Sequence, residues 1–402
     1  MPSLLALPNE LLLMIMEQWS MPDLDRKIVR LVCKRLDALV TPLLFAHLYV
    51  QSSEMSRLYH VAESPRLRTL VKGYSFLLQW PTEAEDCIVG CVQELNAHVH
   101  YIPMLSNLKG ITIDTQPHPF LHEMMGSDRQ AQAIAGLLDA LYICKKRVDK
   151  NEGGPEIVEF NIGRINSVAM QYSSRVSAGA VEAMQKLKRV TFTGPDPSML
   201  ESDWMTFAGV LIAKSTELKE LTVGGNYESV NQTSELWKLV IPHEHCCGQI
   251  LKGESIKPEI MRFWPNLSIL NLCGVQFWHR LFLAFLRRHK EQLRTVRILL
   301  NCILITERID SLSGKYLYLD DECSLEHPDV CFVEFMRSFK NVMTPLLLNE
   351  LEFDDMLFGA SLVWDDYENL LWVPKCDMVH WAQWIMNKRR HEPVYGEQWI
   401  SR

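Results

Sequence analysis

Leu187-Lys188-Arg189-Val190-Thr191-Phe192 and Leu218-Lys219-Glu220-Leu221-Thr222-Val223 share one pattern, apolar at the first, fourth and sixth places. The last two apolar places are alternate residues of an extended chain, so they fall on one face of a strand. The polar residues between them fall on the other face. The same pattern recurs as Leu108/Ile111/Ile113, Ile157/Phe160/Ile162, Leu267/Leu270/Leu272, Leu293/Val296/Ile298 and Leu348/Leu351/Phe353. Leu67/Leu70 starts the series but lacks the third apolar place, where Lys72 stands. From first leucine to first leucine the steps are 41, 49, 30, 31, 49, 26 and 55 residues.

Helical patterns lie between most of these strands. Ile88, Cys91, Val92, Leu95 and Val99 make one apolar stripe. Ile134, Leu137, Leu138 and Leu141 make another, with Asp128 as its expected N-cap. Trp204/Phe207/Ala208/Leu211, Phe277/Leu281/Ala284/Phe285 and Met378/Trp381/Ala382/Ile385 follow. All have the i, i+3/i+4, i+7 spacing of one helix face. Strands that alternate with helices imply parallel pairing. No strand–helix unit of this size buries its own core, so the units must stack on one another. The polar or Gly/Pro-containing stretches 115–127, 149–156, 242–258 and 303–328 read as surface insertions.

The first fifty residues have a different texture. Pro8 suits the first turn of a helix, where its missing N–H costs nothing. Leu11, Ile15 and Trp19 recur at helical spacing with Leu12 and Met16 beside them, an apolar face wider than one stripe. Ser20-Met21-Pro22-Asp23 breaks that helix. A second helix is expected to turn Leu24, Ile28, Leu31 and Val32 inward and Arg26, Lys27, Arg30, Lys34 and Arg35 outward. A third segment holds Pro42, Leu43, Leu44, Phe45 and Leu48.

Leu7-Pro8, Glu10 ahead of a Leu/Ile helix, Pro22-Asp23-Leu24, Val32-Cys33-Lys34 and Pro42-Leu43-Leu44-Phe45 follow one another in order. In this, residues 5–50 resemble an F-box domain. Trp19 stands where the family more usually has a leucine. The resemblance implies a three-helix module that binds the Skp-type adaptor of a cullin–RING ubiquitin ligase. It implies adaptor contacts through Leu7, Pro8, Leu11 and Ile15, with Leu24, Val32, Pro42 and Leu43 completing that face or its support. Residues 60–375 more loosely resemble the irregular leucine-rich repeats that follow F-boxes in many fungal-type proteins, and steps of 26–31 residues fit such repeats with insertions. The expected architecture is therefore α/β: a three-helix F-box over 1–50, a curved leucine-rich-repeat-like solenoid over 51–375, and a C-terminal helix and tail over 376–402. The implied function is substrate recognition for an SCF-type ubiquitin ligase. Its partners would be the adaptor, cullin through it, and a target protein of unstated identity. A repeat scaffold acting outside ubiquitylation is the alternative reading.

Composition limits the other classes. The 402 residues are 48% hydrophobic and 22% charged, a globular balance, with net charge −8, which opposes nucleic-acid binding. No run reaches 18 apolar residues, so no membrane-spanning helix is expected. The 11 cysteines, with no CxxC pair, read as reduced thiols of a cytoplasmic or nuclear protein. The sequons at Asn231 and Asn266 are then incidental.

Little in the sequence reads as catalytic. His243-Glu244-His245-Cys246-Cys247 has metal-type side chains but no second Cys/His pair at zinc-finger spacing. No nucleotide-binding glycine loop or nucleophile elbow is present. Neither an enzyme nor a cofactor or metal is expected. One asymmetry reads as recognition. Between Asn341 and Pro374 there is no Lys or Arg, while Glu350, Glu352, Asp354, Asp355, Asp365, Asp366 and Glu368 accumulate around Trp364, Tyr367 and Trp372. Asp354, Asp355, Trp364, Asp365 and Asp366 are the candidate substrate-binding residues, fitted to a basic peptide by charge and cation–π contact. Lys388-Arg389-Arg390 closes the last helix, where cations suit the dipole.

Overall fold

The structure is a computed structural model, and it describes residues 6–18, 23–51, 54–78, 93, 96–115, 125–163, 178–194, 204–224, 234–241, 261–299, 302–305, 307–309, 316–318, 328–343, 348–353, 356–359, 371–373, 375–388 and 393. The fold is α/β. Nine strands form a parallel sheet whose order follows the chain: His47–Gln51, Gly73–Leu78, Gly110–Thr115, Glu159–Ile162, Arg189–Thr193, Glu220–Gly224, Ile269–Cys273, Thr295–Leu299 and Glu350–Phe353. Tertiary contacts divide the chain into two units, Met1–Asp114 with Gly136–Ile157, and Thr115–Ala135 with Val158–Arg402.

Seven of the eight sequence motifs open a strand two residues after their first apolar residue, from Leu108 with Gly110–Thr115 to Leu348 with Glu350–Phe353. The first apolar residue is buried in the turn before the strand. There its N–H closes a short loop, as from Leu108 to Leu105 O (3.0 Å), Leu187 to Met184 O (3.2 Å) and Leu267 to Trp264 O (3.1 Å). The other two apolar residues point into the core, as Val190, Phe192, Leu221 and Val223 do.

Within each unit, successive strand starts are tied by one carbonyl that accepts from two successive N–H groups. In the first unit Ala46 O accepts from Lys72 (2.8 Å) and Gly73 (3.0 Å), and Lys72 O from Lys109 (2.7 Å) and Gly110 (3.2 Å). In the second unit Val158 O takes Lys188 and Arg189, Lys188 O takes Lys219 and Glu220, and Lys219 O takes Ser268 and Ile269. Ser268 O then takes Arg294 and Thr295, and Arg294 O takes Asn349 and Glu350. The side-chain amides of Asn107 and Asn266 add a second tie, donating to Thr69 O (2.6 Å) and Thr216 O (2.7 Å).

In the first unit the Leu67/Leu70 expectation fails. Leu70 N–H closes a turn onto Leu67 O, and the strand is Gly73–Leu78, with Val71, Tyr74 and Phe76 in the core. Those residues have the right spacing without a leucine. Another strand, His47–Gln51, pairs with it in register Leu48↔Tyr74 and Val50↔Phe76, so Leu48 is a strand residue. Asp128 lies inside the helix Met125–Asp149 and does not cap its start. Asn151 at φ 57° and the bond from Glu152 N–H to Arg147 O (3.0 Å) end that helix in a left-handed turn.

The second unit carries a further sheet with strands in the spatial order Leu371–Val373, Met356–Gly359, Cys302–Ile305, Val275–Trp278 and Ser234–Glu235. One of these strands, Val275–Trp278, directly continues the main-sheet strand Ile269–Cys273. Gly274, at φ 57°, makes the bend between Cys273 and Val275, a backbone region open to glycine at little cost. Cys302–Ile305 overlaps the start of the expected insertion 303–328; its run Cys-Ile-Leu-Ile is apolar enough to be a fully paired strand. Phe277, expected on a helix, is in the strand before helix His279–His289. Helix Pro328–Val342 joins the flanking elements through rings: Phe339 lies 6.2 Å from Phe282 and 5.8 Å from Phe353, and Phe332 5.5 Å from Trp381. Lys340 Nζ donates to Trp384 O (2.8 Å) and lies 3.9 Å from the Trp384 ring centroid.

His289 is one of several polar side chains built into this core, and it is fully buried. Its Nδ1 donates to Phe285 O (3.0 Å), and its Nε2 accepts from Trp264 N–H (3.1 Å). A carbonyl can only accept and an amide N–H can only donate, so both bonds demand the neutral ring. Trp264 Nε1 in turn donates to Ile212 O (2.7 Å). Burial, assisted by Arg288 and opposed by the Phe285 bond, pushes the His289 pKa down to about 4.

The unfolded chain takes up the His289 proton near pH 6.5 and the folded chain only near 4, so stability falls as pH is lowered through that window, by about 3 kcal/mol in all. Urea unfolding at pH 7, 5.5 and 4.5 should give a steeper loss for the native chain than for His289→Gln. Tyr74 Oη is buried with no hydrogen-bond partner among the described residues, and burial pushes its pKa up. Tyr74→Phe should therefore stabilise the chain by about 1 kcal/mol in the same measurement.

Candidate functional site

The N-terminal helices are Asn9–Gln18 (α1), Asp23–Val29 (α2) and Lys34–Phe45 (α3). Their core is small: Leu12 and Met16 of α1 meet Leu36 and Val40 of α3. Leu7, Val29, Cys33, Leu39 and Leu43 pack against that cluster. Arg35 fixes the start of α1 from across the module, its Nε donating to Asn9 Oδ1 (2.8 Å) and its second guanidinium nitrogen to Leu7 O (2.7 Å). Asp37 braces α3, accepting from Thr41 Oγ1 (2.8 Å) and standing 3.9 Å from Arg30 Nε.

Several large apolar side chains are left outside this core. On α1, Leu11 is 44% and Met14 50% exposed, and after it Ile28 is 56%, Leu31 77% and Val32 65% exposed. The expectation that Ile28, Leu31 and Val32 turn inward is thus overturned. The 28/31/32 stripe has helical spacing, but Val29 and Cys33 on a neighbouring stripe are the residues that reach the core. Arg26 and Arg30, expected outside, are half-buried.

Of the expected adaptor contacts, Pro8, Leu11, Val32 and Pro42 are exposed, and Leu7, Ile15 and Leu43 are half-buried. The Leu24 side chain and Trp19 lie outside the described residues. So do Asp354, Asp355, Trp364, Asp365 and Asp366, and the cluster His243–Cys247. Among the described residues no group of His, Cys, Asp or Glu is placed to hold a metal ion, and no helix is long and apolar enough to cross a membrane.

The second surface belongs to the second unit. Apolar residues of each strand face its core, and the alternate residues form rows across the strands in the register of their pairing. One row runs Glu159, Arg189, Glu220, Ile269, Thr295, Glu350, and the next Asn161, Thr191, Thr222, Asn271, Arg297, Glu352. Arg189 pairs with Glu159 at 2.7 Å. Arg297 forks onto Glu350, Nε to Oε1 at 3.2 Å and NH2 to Oε2 at 2.7 Å, and stands 3.6 Å from Glu352. Asn271 Nδ2 donates to Glu220 Oε1 (3.2 Å) and Thr222 Oγ1 (2.9 Å), and its Oδ1 lies 3.5 Å from an Arg297 nitrogen. The fork to Glu350 holds the Arg297 pKa above its usual value, helped by the charges of Glu350, Glu352 and Glu220 against the opposing effect of burial.

Sequence reading took Glu350 and Glu352 as part of an acidic run but did not find Glu220, Asn271 or Arg297. The available signal was the third and fifth places of the hexamer. In a parallel sheet covered on both faces those places are apolar too, and here they carry charges and amides.

Arg35 gives this site a test of its own. Arg35→Ala should speed hydrogen exchange of the α1 amides about fivefold, the loss of about 1 kcal/mol of local bonding, and leave the strand amides unchanged. No family model matches the chain, and no curated protein matches it in sequence.

Proposed function

We propose that the chain is a substrate-recognition subunit of an SCF-type ubiquitin ligase. The N-terminal helices would dock the Skp-type adaptor, and the repeat-like α/β region would hold a target protein. The observation that carries this reading is the exposed apolar set Leu11, Met14, Ile28, Leu31 and Val32. It sits on a module whose own core, Leu12, Met16, Leu36 and Val40, is already filled. Five large apolar side chains left exposed on so small a module are what a protein interaction site presents. Its residues fall within the stretch that resembles an F-box, among them Leu11 and Val32 of the implied adaptor contacts.

The finer architecture belongs to the same proposal. A sheet whose strand order follows the chain, with motif steps from 26 to 55 residues carried as insertions, agrees with an irregular leucine-rich-repeat solenoid. Catalysis would come from the ligase's other subunits. This chain would raise the effective concentration of target beside the bound ubiquitin-conjugating enzyme.

The test is capture of purified Skp-type adaptor on the full chain. The native protein should bind it. Leu31→Glu and Val32→Asp, both at exposed positions and so tolerated by the fold, should each weaken capture at least tenfold. Unchanged circular dichroism would keep folding out of the result. A native chain that fails to bind the adaptor would overturn the proposal, and a scaffold role outside ubiquitylation would take its place.

A further inference from the structure

A parallel sheet is ordinarily covered on both faces by apolar packing. The outer rows of the second unit depart from that rule. Glu220, Arg297, Glu350 and Glu352 are half-exposed on the strand face opposite the core residues Leu221, Val296, Ile298 and Leu351. A uniform polar face on such a sheet costs nothing if it meets water, but the arrangement here is not uniform. Three carboxylates surround the Arg297 guanidinium, and the nearby Arg189 is paired with Glu159, so the two rows carry an excess of negative charge.

The hydrogen-bond capacity is equally one-sided. Both N–H bonds of the Asn271 amide point to the face's own oxygens, on Glu220 and Thr222. Arg297 spends its Nε and one terminal nitrogen on Glu350 and turns the other toward Asn271. A carboxylate can accept about four hydrogen bonds. The bonds just named use only part of what Glu220, Glu350 and Glu352 offer. The donors are largely committed and acceptors remain, with charge to spare.

We propose that this face docks an extended, cationic segment of a partner protein. Its Lys or Arg side chains would supply the missing donors to Glu220, Glu350 and Glu352. Rows repeat from strand to strand at about 4.8 Å, so a chain laid across the strands meets the acceptors in sequence. A nucleic acid, an acidic peptide or an anionic lipid surface would meet like charge. The proposal deepens the reading of this chain as a target-recognition subunit, on which it rests, by giving the chemical class of the target segment.

The probe is a fluorescein-labelled nonapeptide alternating arginine with serine, with a glutamate–serine peptide as its counterpart. Binding to the full chain is read by anisotropy at 50 and 150 mM salt. The arginine peptide should bind and weaken with salt, since exposed charges are screened. The double variant Glu220→Gln/Glu352→Gln should weaken it at least tenfold. Arg297→Gln should tighten it several-fold, because it removes the competing cation. A misfolded variant would not give tighter binding. Glu63→Gln/Glu152→Gln, which changes net charge equally but in the first unit, should leave binding within twofold of native.

Equal weakening by both double variants would reduce the effect to net charge and overturn the proposal. So would no binding of the arginine peptide, equal binding of both peptides, or weaker binding by Arg297→Gln. Adaptor capture by the same Glu220→Gln/Glu352→Gln protein separates this result from the ligase reading: captured adaptor with a native-like response to peptide would sink the docking face alone.

Discussion

One carbonyl that accepts two successive N–H groups sets the rest of this structure. Ala46 and Lys72 do so in the first unit, and Val158, Lys188, Lys219, Ser268 and Arg294 in the second. The acceptor is the last residue before each strand, and the two donors are the last residue before the next strand and that strand's first residue. Forking the bond fixes where the next strand begins relative to its neighbour. It does so whatever the chain has done in between. Lys219 and Ser268 are joined across a long insertion in the same way as Lys188 and Lys219 across a shorter one. A slip of one residue would turn every core side chain outward. Register is therefore decided at the strand entrance, and insertions are free to vary in length at a cost that grows only slowly.

Fixed register is also what makes the outer rows a surface. Because Glu220, Asn271, Arg297 and Glu350 keep their places in neighbouring strands, their side chains meet across insertions that separate them widely in sequence. Ion pairs at half-exposed positions add little to stability, about 0–1 kcal/mol each. Their value lies in shape. A guanidinium forked onto a carboxylate is held in one orientation, and the neighbouring oxygens are held with it. The N-terminal module uses the opposite chemistry. Its core of Leu12, Met16, Leu36 and Val40 is too small to absorb all the apolar residues of its helices. What remains outside is a surface that water does not solvate well.

Much of this was legible from the sequence. The hexamer places the strands because two of its apolar positions have strand period and the first marks the turn before it. The motif steps from Ile157 to Leu348 are also the register steps, since Glu159, Arg189, Glu220, Ile269, Thr295 and Glu350 pair in one row. What escaped had physical reasons. Val71, Tyr74 and Phe76 fill the same three places, but Leu67 and Leu70 beside them carried the more familiar letters. Ile303–Ile305 stand at the head of a stretch that reads as an insertion because polar residues follow, and a short apolar run alone does not say which sheet it joins. In α2 and the turn after it, Ile28, Leu31 and Val32 form a better apolar stripe than Val29 and Cys33, and a stripe by itself does not say which side the core is on.

That last ambiguity bears on function more than on fold. Periodicity detects apolar residues that share a face, and it gives the same signal for a face covered by the protein itself and a face covered by another. The two are separated by asking whether the core is complete without them. Arg35 latches Leu7 and Asn9, Asp37 braces Thr41 and Arg30, and the four core residues are buried with Leu31 and Val32 left out. A module closed in this way has no internal use for its second stripe. The same test applied to the sheet gives the same answer in polar terms: the core face is filled by Leu221, Leu270, Val296 and Leu351, so the charges on the other face are not compensating for anything beneath them. In both units the residues that folding does not need are the ones arranged in order, and order that folding does not require is what a partner would read.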